Sequence, residues 1–473
     1  MKITQDIEKR IDEWVDSHEK EYLTDLGELV GFNSTACDGR LPGDKPFGDA
    51  CAAVLARAKK LAESYGFKAE NRDNFCVVAN LGDEDEKVGI FGHLDVVPAG
   101  GDWEYYPFGL TVQDGLIIGR GVMDDKGPLW ASVYAVRCLK ELDLLPRRGI
   151  EIFMGSDEEK GMLDIDHYVE TSRVMPVVSF TPDGSYPICH GEKGIMNFWF
   201  DIPAGEGNIV DFTAGTVTNV VADHAELLLS GIDAAEAAAA LKGDSAFTVK
   251  AEGGNTRITA RGAAVHASLP ENGVNAIGIL AKAVLEHGFA RGGAVPALQF
   301  VADVLASYNG EPFGAAFEDE PSGKLTHVGG VMTFSDNTLH LSIDIRYPVT
   351  VNGADVLAAA KAFAEKRGCG LTEKTDSHPI YIDADSDLVK LSVSTVNRVM
   401  GKDWKPFTMG GGTYARHLKN AYALGAEDPD FKSPFGLFRG SMHQADECAP
   451  IKLLLDTARI YARLLLELDE LDF

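Results

Sequence analysis

Between Phe91 and Gly127 the chain carries two fragments, FGHLDVVP and GRGVMDDKGP, that constrain everything built around them. The first follows the apolar residues Val88, Ile90 and Phe91 and sets His93 and Asp95 two residues apart. A strand sends residues i and i+2 to the same face, so an imidazole and a carboxylate can share one crevice. The second fragment ends on an adjacent acid pair, Asp124 and Asp125, just before Lys126 and Gly127.

The pattern on either side is one of strands alternating with helices. Residues 3–31 space Ile7, Ile11, Trp14 and Val15 as an amphipathic helix does, and residues 50–65 form a second helical stretch that Gly66 stops. Strand-like runs at 76–81 and 88–91 flank the acidic turn GDEDEK, and 131–144 is helical again. Short apolar runs at 150–154 and 177–180 end in GSDEEKG and TPDG. This alternation predicts an α/β layer with a largely parallel sheet.

Near residue 191 the pattern changes to alternating strand signals, Ala-rich helices (234–241, 276–286, 354–366) and many glycines. The expected organisation is one α/β domain in two parts, 1–191 and 379–473, with a separate α+β domain inserted at 192–378. After Pro379 come a helix at 386–400, the cluster MGGGTYAR, an apolar run at 435–438, the stretch RGSMHQADE and a last helix at 452–466.

Composition narrows the function. At 473 residues the chain exceeds what one ordinary core organises. Its 44 basic residues against 72 acidic ones give a net charge of −28, which argues against a nucleic-acid or anionic-membrane partner. Seven scattered cysteines without a C-x-x-C predict neither a disulfide framework nor a cysteine zinc site, and fit a reduced, cytoplasmic protein. The acidic N-terminal stretch has no signal-peptide core. No apolar run approaches the roughly 20 residues that span a bilayer.

In open α/β sheets ligands bind beyond the carboxyl ends of strands. His93 in GHLD, Glu158 and Glu159 in GSDEE, Asp183 in TPDG and His443 in SMHQADE each follow an apolar run, and Asp124 lies in the longer loop after Gly119. Alone, each fragment has a bland reading: H-x-D arises by chance, the acid pairs suit turns or solvated loops, and PDG is a turn signal in its own right. Together they form a mixed imidazole and carboxylate set that suits zinc, with manganese or cobalt as substitutes. A shared carboxylate can hold two ions roughly 3.5–4 Å apart and acidify a common water.

In this order the fragments resemble the zinc-dependent aminoacylase, carboxypeptidase G and dipeptidase superfamily, peptidase family M twenty, and most of all its PepV-type dipeptidases. GHLDVVP, GRG-x-x-DDKGP, the Glu pair, TPDG, the His266 motif GAAVHASLPENGVNAI and G-x-x-H-x-x-DE span nearly the whole chain. The resemblance implies a phosphorylase/hydrolase-like zinc peptidase domain with an inserted lid. It implies two zinc ions, one held by His93, Asp124 and Asp183, the other by Asp124, Glu159 and His443. Glu158 would be the general base, Asp95 would orient His93, and the Asp124–Asp125 peptide would be cis. From the lid, His266 would stabilise the oxyanion, while Asn219 and Arg346 would bind the substrate carbonyl or carboxylate. Gly410, Gly411, Gly412 and Thr413 would offer N–H groups to that carboxylate; a strand salt bridge for Arg346 and a plain turn for GGGT are the alternatives. Ala222 stands in VVAD where many relatives have Pro, which leaves that loop less rigid. Asp rather than Glu at 183 leans toward substrates with a free N-terminus, hence small dipeptides, aminoacyl-histidine and β-alanyl ones among the candidates. The alternatives are an N-acyl amino acid deacylase on the same scaffold and a non-catalytic metal-binding homologue. The length of the lid predicts a monomer.

Overall fold

A computed structural model describes residues 3–82, 85–436 and 438–473. Asp83 and Glu84 of the acidic turn and Leu437 of the 435–438 run lie outside the described residues. The chain divides into two compact units. One comprises Met1–His190, Ile382–Phe407 and Gly412–Phe473; the other comprises Gly191–Tyr381 and Thr408–Gly411.

The first unit is built on a mixed sheet whose strands lie in the spatial order Lys68–Arg72, Cys76–Leu81, Gly149–Gly155, Lys87–His93, Val178–Thr181, Ala421–Ala423 and Cys189–Glu192. The parallel pairings are central: Lys87–His93 runs parallel to Gly149–Gly155 on one side and to Val178–Thr181 on the other, and Val178–Thr181 parallel to Ala421–Ala423. The flanking pairs are antiparallel. Buried on both faces, Lys87–His93 and Gly149–Gly155 read as nearly unbroken apolar runs, as central parallel strands do.

Helix Gln5–Val30 starts at Thr4, whose hydroxyl accepts the Ile7 N–H. Helix Lys126–Glu141 is buried from Lys126 to Leu139 and packs against Gln5–Val30 and Ile451–Leu468, so its lack of a polar face follows from its position. It begins at Lys126, not near 131 as the sequence pattern predicts. Gly127 and Pro128 obscure the helical signal, yet Pro is harmless in a first turn, where its missing N–H has no intrahelical partner. One further departure concerns the same unit: Leu163–Thr171 is helical without having been anticipated.

The second unit has an eight-stranded antiparallel sheet in the order Phe247–Glu252, Asn255–Arg261, His224–Leu229, Ile209–Ala214, Thr326–Ser335, Thr338–Tyr347, Gly194–Pro203 and Gly370–Ser377. Helix Ala276–Glu286 is capped by Asn275, which accepts from Ile277 and Gly278 and donates to the Gly329 carbonyl. It packs with the unanticipated helix Ala294–Val304, whose Phe300 and Val301 join Phe198, Phe200 and Phe363 in a separate apolar core.

Candidate metal centre

The parallel centre of the first sheet explains why three distant fragments meet. Lys87–His93 ends on His93 itself, Gly149–Gly155 leads into Glu158 and Glu159, and Val178–Thr181 leads into Asp183. Because these strands are adjacent and parallel, their carboxyl ends lie on one edge of the sheet. Two loops complete the set. The 119–125 loop brings Asp124 to the N-terminus of helix Lys126–Glu141, and a turn-rich stretch brings His443. His443 is therefore not at a strand end as the sequence pattern suggests; it sits in the left-handed backbone region at φ 62°.

Asp124 links the two imidazoles. Its Oδ1 lies 3.1 Å from His93 Nε2 and its Oδ2 lies 2.9 Å from His443 Nε2. Asp183 Oδ2 is 3.9 Å from His93 Nε2, and Glu159 Oε1 is 3.2 Å from His443 Nε2. Glu158 joins His93 and Asp183 in a triad whose ligand atoms all lie within 4.8 Å of one another, as do those of His93, Asp124 and Glu159. The Asp124–Asp125 peptide is cis.

The charges need a partner the side chains do not supply. Burial, then the Asp124 charge, pushes Asp183 up to about 7. Burial, then Asp183, pushes Glu158 well above the carboxylate range, and burial, then Asp124, raises Glu159. Hydrogen bonds to Asp124 and Glu159 hold His443 up at about 10. His93 is raised as well: burial pulls it down, but its bonds to Asp124 and Asp95 win. Asp124 shows the converse. Burial would raise it, and its bonds to His443 and His93 keep it low. Metal-ligating imidazoles must be neutral, and divalent cations would neutralise the same carboxylates that protons otherwise would. The donor set fits such ions.

Behind these groups lies a second rank of buried acids. His93 Nδ1 bonds the Asp95 carbonyl at 3.0 Å, with Asp95 Oδ1 at 3.3 Å; the carbonyl, more than the carboxylate, fixes the tautomer that aims the Nε2 lone pair at the centre. The Asp95 carboxylate instead accepts the N–H groups of Glu158 (3.3 Å) and Glu159 (3.1 Å). Asp125 accepts the His93 N–H. Asp164 accepts from the N–H groups of Ser156 and Asp157 and from the Tyr414 hydroxyl, steadying the approach to Glu158. Lys126 is fully buried, and burial lowers it to about 7; its ammonium donates to the Leu29 and Phe32 carbonyls at the end of the first helix.

Residues 89–467 match the sequence profile of Peptidase family M20/M25/M40. The chain belongs to this family. It is a peptide-bond hydrolase, and the family implies divalent metal ions. Among curated relatives, YtjP of Bacillus subtilis (strain 168), provisionally named a dipeptidase, is 32% identical over 95% of this chain and 97% of its own length. A Staphylococcus epidermidis protein with the same provisional name is 30% identical over 94% and 96%. Two solved structures share the fold. Human carnosine dipeptidase 1 has 17% identity and a TM-score of 0.56, covering 98% of this chain and 99% of that one. The M20 family metallo-carboxypeptidase Sso-CP2 from Sulfolobus solfataricus has 17% identity and a TM-score of 0.58, covering 95% and 100%.

The second unit of this M20 chain holds the remaining predicted residues apart from Gly412 and Thr413. Asn219 and His266 are exposed and neighbouring: Val220 and His266 form an antiparallel bridge, and the Ala267 N–H donates to the Asn219 carbonyl at 2.9 Å. His266 Nδ1 lies 2.8 Å from Ser268 Oγ. Arg346 is 4% exposed and forms a two-pronged pair with Asp344 (2.7 and 3.2 Å); its third bond goes to the Gly410 carbonyl at 2.9 Å. The strand salt bridge considered from sequence is thus present. Gly411 belongs to this unit, while Gly412 and Thr413 belong to the first. Thr413 is buried and its hydroxyl accepts the Ala415 N–H, and a Cβ at Gly412 would lie 2.5 Å from the Arg416 guanidinium.

Sequence reasoning left Asp125, Lys126, Tyr414 and Glu447 without roles although it quoted them inside motifs, and it missed Asp164. Asp164 carries no local signal, because its partners are brought to it by the fold.

Proposed function

We propose that this M20 hydrolase is a dipeptidase acting on dipeptides with a free N-terminus by means of two divalent cations, zinc foremost. The observation that carries the reading is Asp124, with one oxygen toward His93 and the other toward His443. His93, Asp124 and Asp183 would hold one ion, and Asp124, Glu159 and His443 the other. When bound, such ions acidify a shared water and polarise the scissile carbonyl.

Glu158 is the group we assign to the proton. Burial and the neighbouring Asp183 raise its carboxylate, the direction that suits a group taking a proton from water and returning it to the leaving amine. Asp95 holds the Glu158 N–H and so fixes where that carboxylate stands. On the family motif alone we assign His266 to the oxyanion and Asn219 to the substrate carbonyl. Arg346 is assigned to the substrate carboxylate; three of its five N–H donors serve Asp344 and Gly410. Gly411, Gly412 and Thr413 are assigned to the same carboxylate. The dipeptidase names of the bacterial relatives support the substrate class.

The test is a dipeptide panel run beside the N-acetylated form of each dipeptide, on chelator-treated and zinc-restored protein. Hydrolysis of the free dipeptides only, abolished by chelation and restored by zinc, is the expected result. Faster turnover of the acetylated forms would reassign the chain as a deacylase, and full activity after chelation would end the metal reading.

A further inference from the structure

Glu447 lies four residues beyond His443 in the chain and is completely buried. Its carboxylate is the hub of the loop that carries Asp124. Oε1 accepts the N–H groups of Gly121 (3.1 Å), Met123 (2.9 Å) and Asp124 (3.2 Å). Oε2 accepts from Gly121 (3.1 Å) and from the Arg120 guanidinium (2.7 Å). The Glu447 carbonyl accepts the Gly119 N–H at 3.0 Å, and the next residue, Cys448, pairs with Ile118 across an antiparallel ladder.

We propose that Glu447 is a positioning residue for both metal sites at once; this rests on the two-cation reading above. Several N–H groups converging on one carboxylate form charge-assisted bonds that fix backbone orientation. Here the orientation fixed is that of Asp124, whose two carboxylate oxygens face the two imidazoles. Arg120 pairs with the buried carboxylate at 2.7 Å, and its guanidinium also lies 5.1 Å from the Trp103 ring centroid. Because Glu447 follows His443 on the same short segment, the clamp ties the loop of the shared carboxylate to the loop of the second imidazole. A structural ion pair alone would stabilise the fold without setting metal affinity, and this difference is measurable.

Glu447→Asp keeps the charge beside Arg120 and shortens its reach. Calorimetric titration of the chelator-stripped variant with zinc chloride is expected to show both ions weakened, by about tenfold to a hundredfold, as outer-sphere substitutions typically do. Glu159→Gln, in contrast, should weaken chiefly one ion. Wild-type affinity for both ions in E447D, or a loss confined to one, overturns the proposal. A second measurement needs no variant. In metal-free wild-type protein the amides of Gly121, Met123 and Asp124 are expected to exchange hydrogen as slowly as those of strand Lys87–His93. Exchange as fast as in the exposed 39–45 loop overturns the clamp. Wild-type protein that binds no zinc would refute the proposed function instead, and the exchange rates would then decide on the clamp by themselves.

Discussion

The carboxylate of Asp95 accepts the backbone N–H of Glu159 at 3.1 Å, so a residue two positions beyond one candidate ligand holds the main chain of another. Since the adjacent Glu158 N–H goes to the other Asp95 oxygen, a single buried acid sets both glutamates relative to His93. Asp95→Ala should therefore lower metal affinity and turnover together, by roughly 10–100-fold each. Zinc titration and steady-state kinetics check this. Asp95→Asn, whose amide cannot accept both N–H groups, should fall between the variant and the wild type.

Glu158→Gln separates binding from chemistry. The variant is expected to fold, to take up zinc and to lose roughly a hundredfold to ten-thousandfold in turnover, the range general acid–base groups contribute. Metal content by mass spectrometry and a dipeptide assay on the same sample decide it. Wild-type turnover excludes Glu158 as the base.

Gly127 is required by contact. A Cβ there would press into the Val122 carbonyl oxygen, which belongs to the Asp124 loop, and lie 3.2 Å from Leu454. Gly127→Ala should shift that loop, destabilise the protein by roughly 1–3 kcal/mol as overpacking does, and weaken zinc binding. A variant with unchanged melting temperature and zinc affinity would show that the loop has room to yield.

His327 supplies a pH dependence located away from the metal centre. It is fully buried in the second unit, accepting the Gly310 N–H on Nδ1 and donating from Nε2 to the Val304 carbonyl, which is a neutral ring. Burial lowers it from 6.5 to about 4. A base whose folded pKa is depressed takes up protons first in the unfolded chain, so its stabilising contribution is complete above 6.5 and lost as pH falls to about 4. At 1.36 kcal/mol per pKa unit the loss is about 3 kcal/mol. Urea unfolding between pH 7 and 4 should show the stability gap between wild type and His327→Gln narrowing over that interval. A gap independent of pH would mean that the ring takes up its proton equally in the folded and unfolded states, so that burial does not depress it.

Much of the centre is legible in residue order. GHLD, DDKG, DEE, PDG and the His443 motif each carry donors of the right kind, and the apolar run before His93 announces a buried strand, because side-chain type and alternation are local properties. Other features are not local. Helix Lys126–Glu141 starts earlier than its apolar spacing suggests, since Gly127 and Pro128 look like breakers until the helix is seen beginning at them.

The sequence by itself determined which donor side chains are available and that His93, the Glu158–Glu159 pair and Asp183 follow strands. Tertiary structure alone decided that Gly149–Gly155, Lys87–His93 and Val178–Thr181 lie side by side in parallel, which sets Glu158, Glu159, His93 and Asp183 along one edge. It alone made Asp95, Asp164 and Glu447 acceptors for the backbone of the ligand loops. The physical reason is that strand pairing and buried N–H satisfaction join residues far apart in the chain, and neither leaves a periodic trace in the segments it joins.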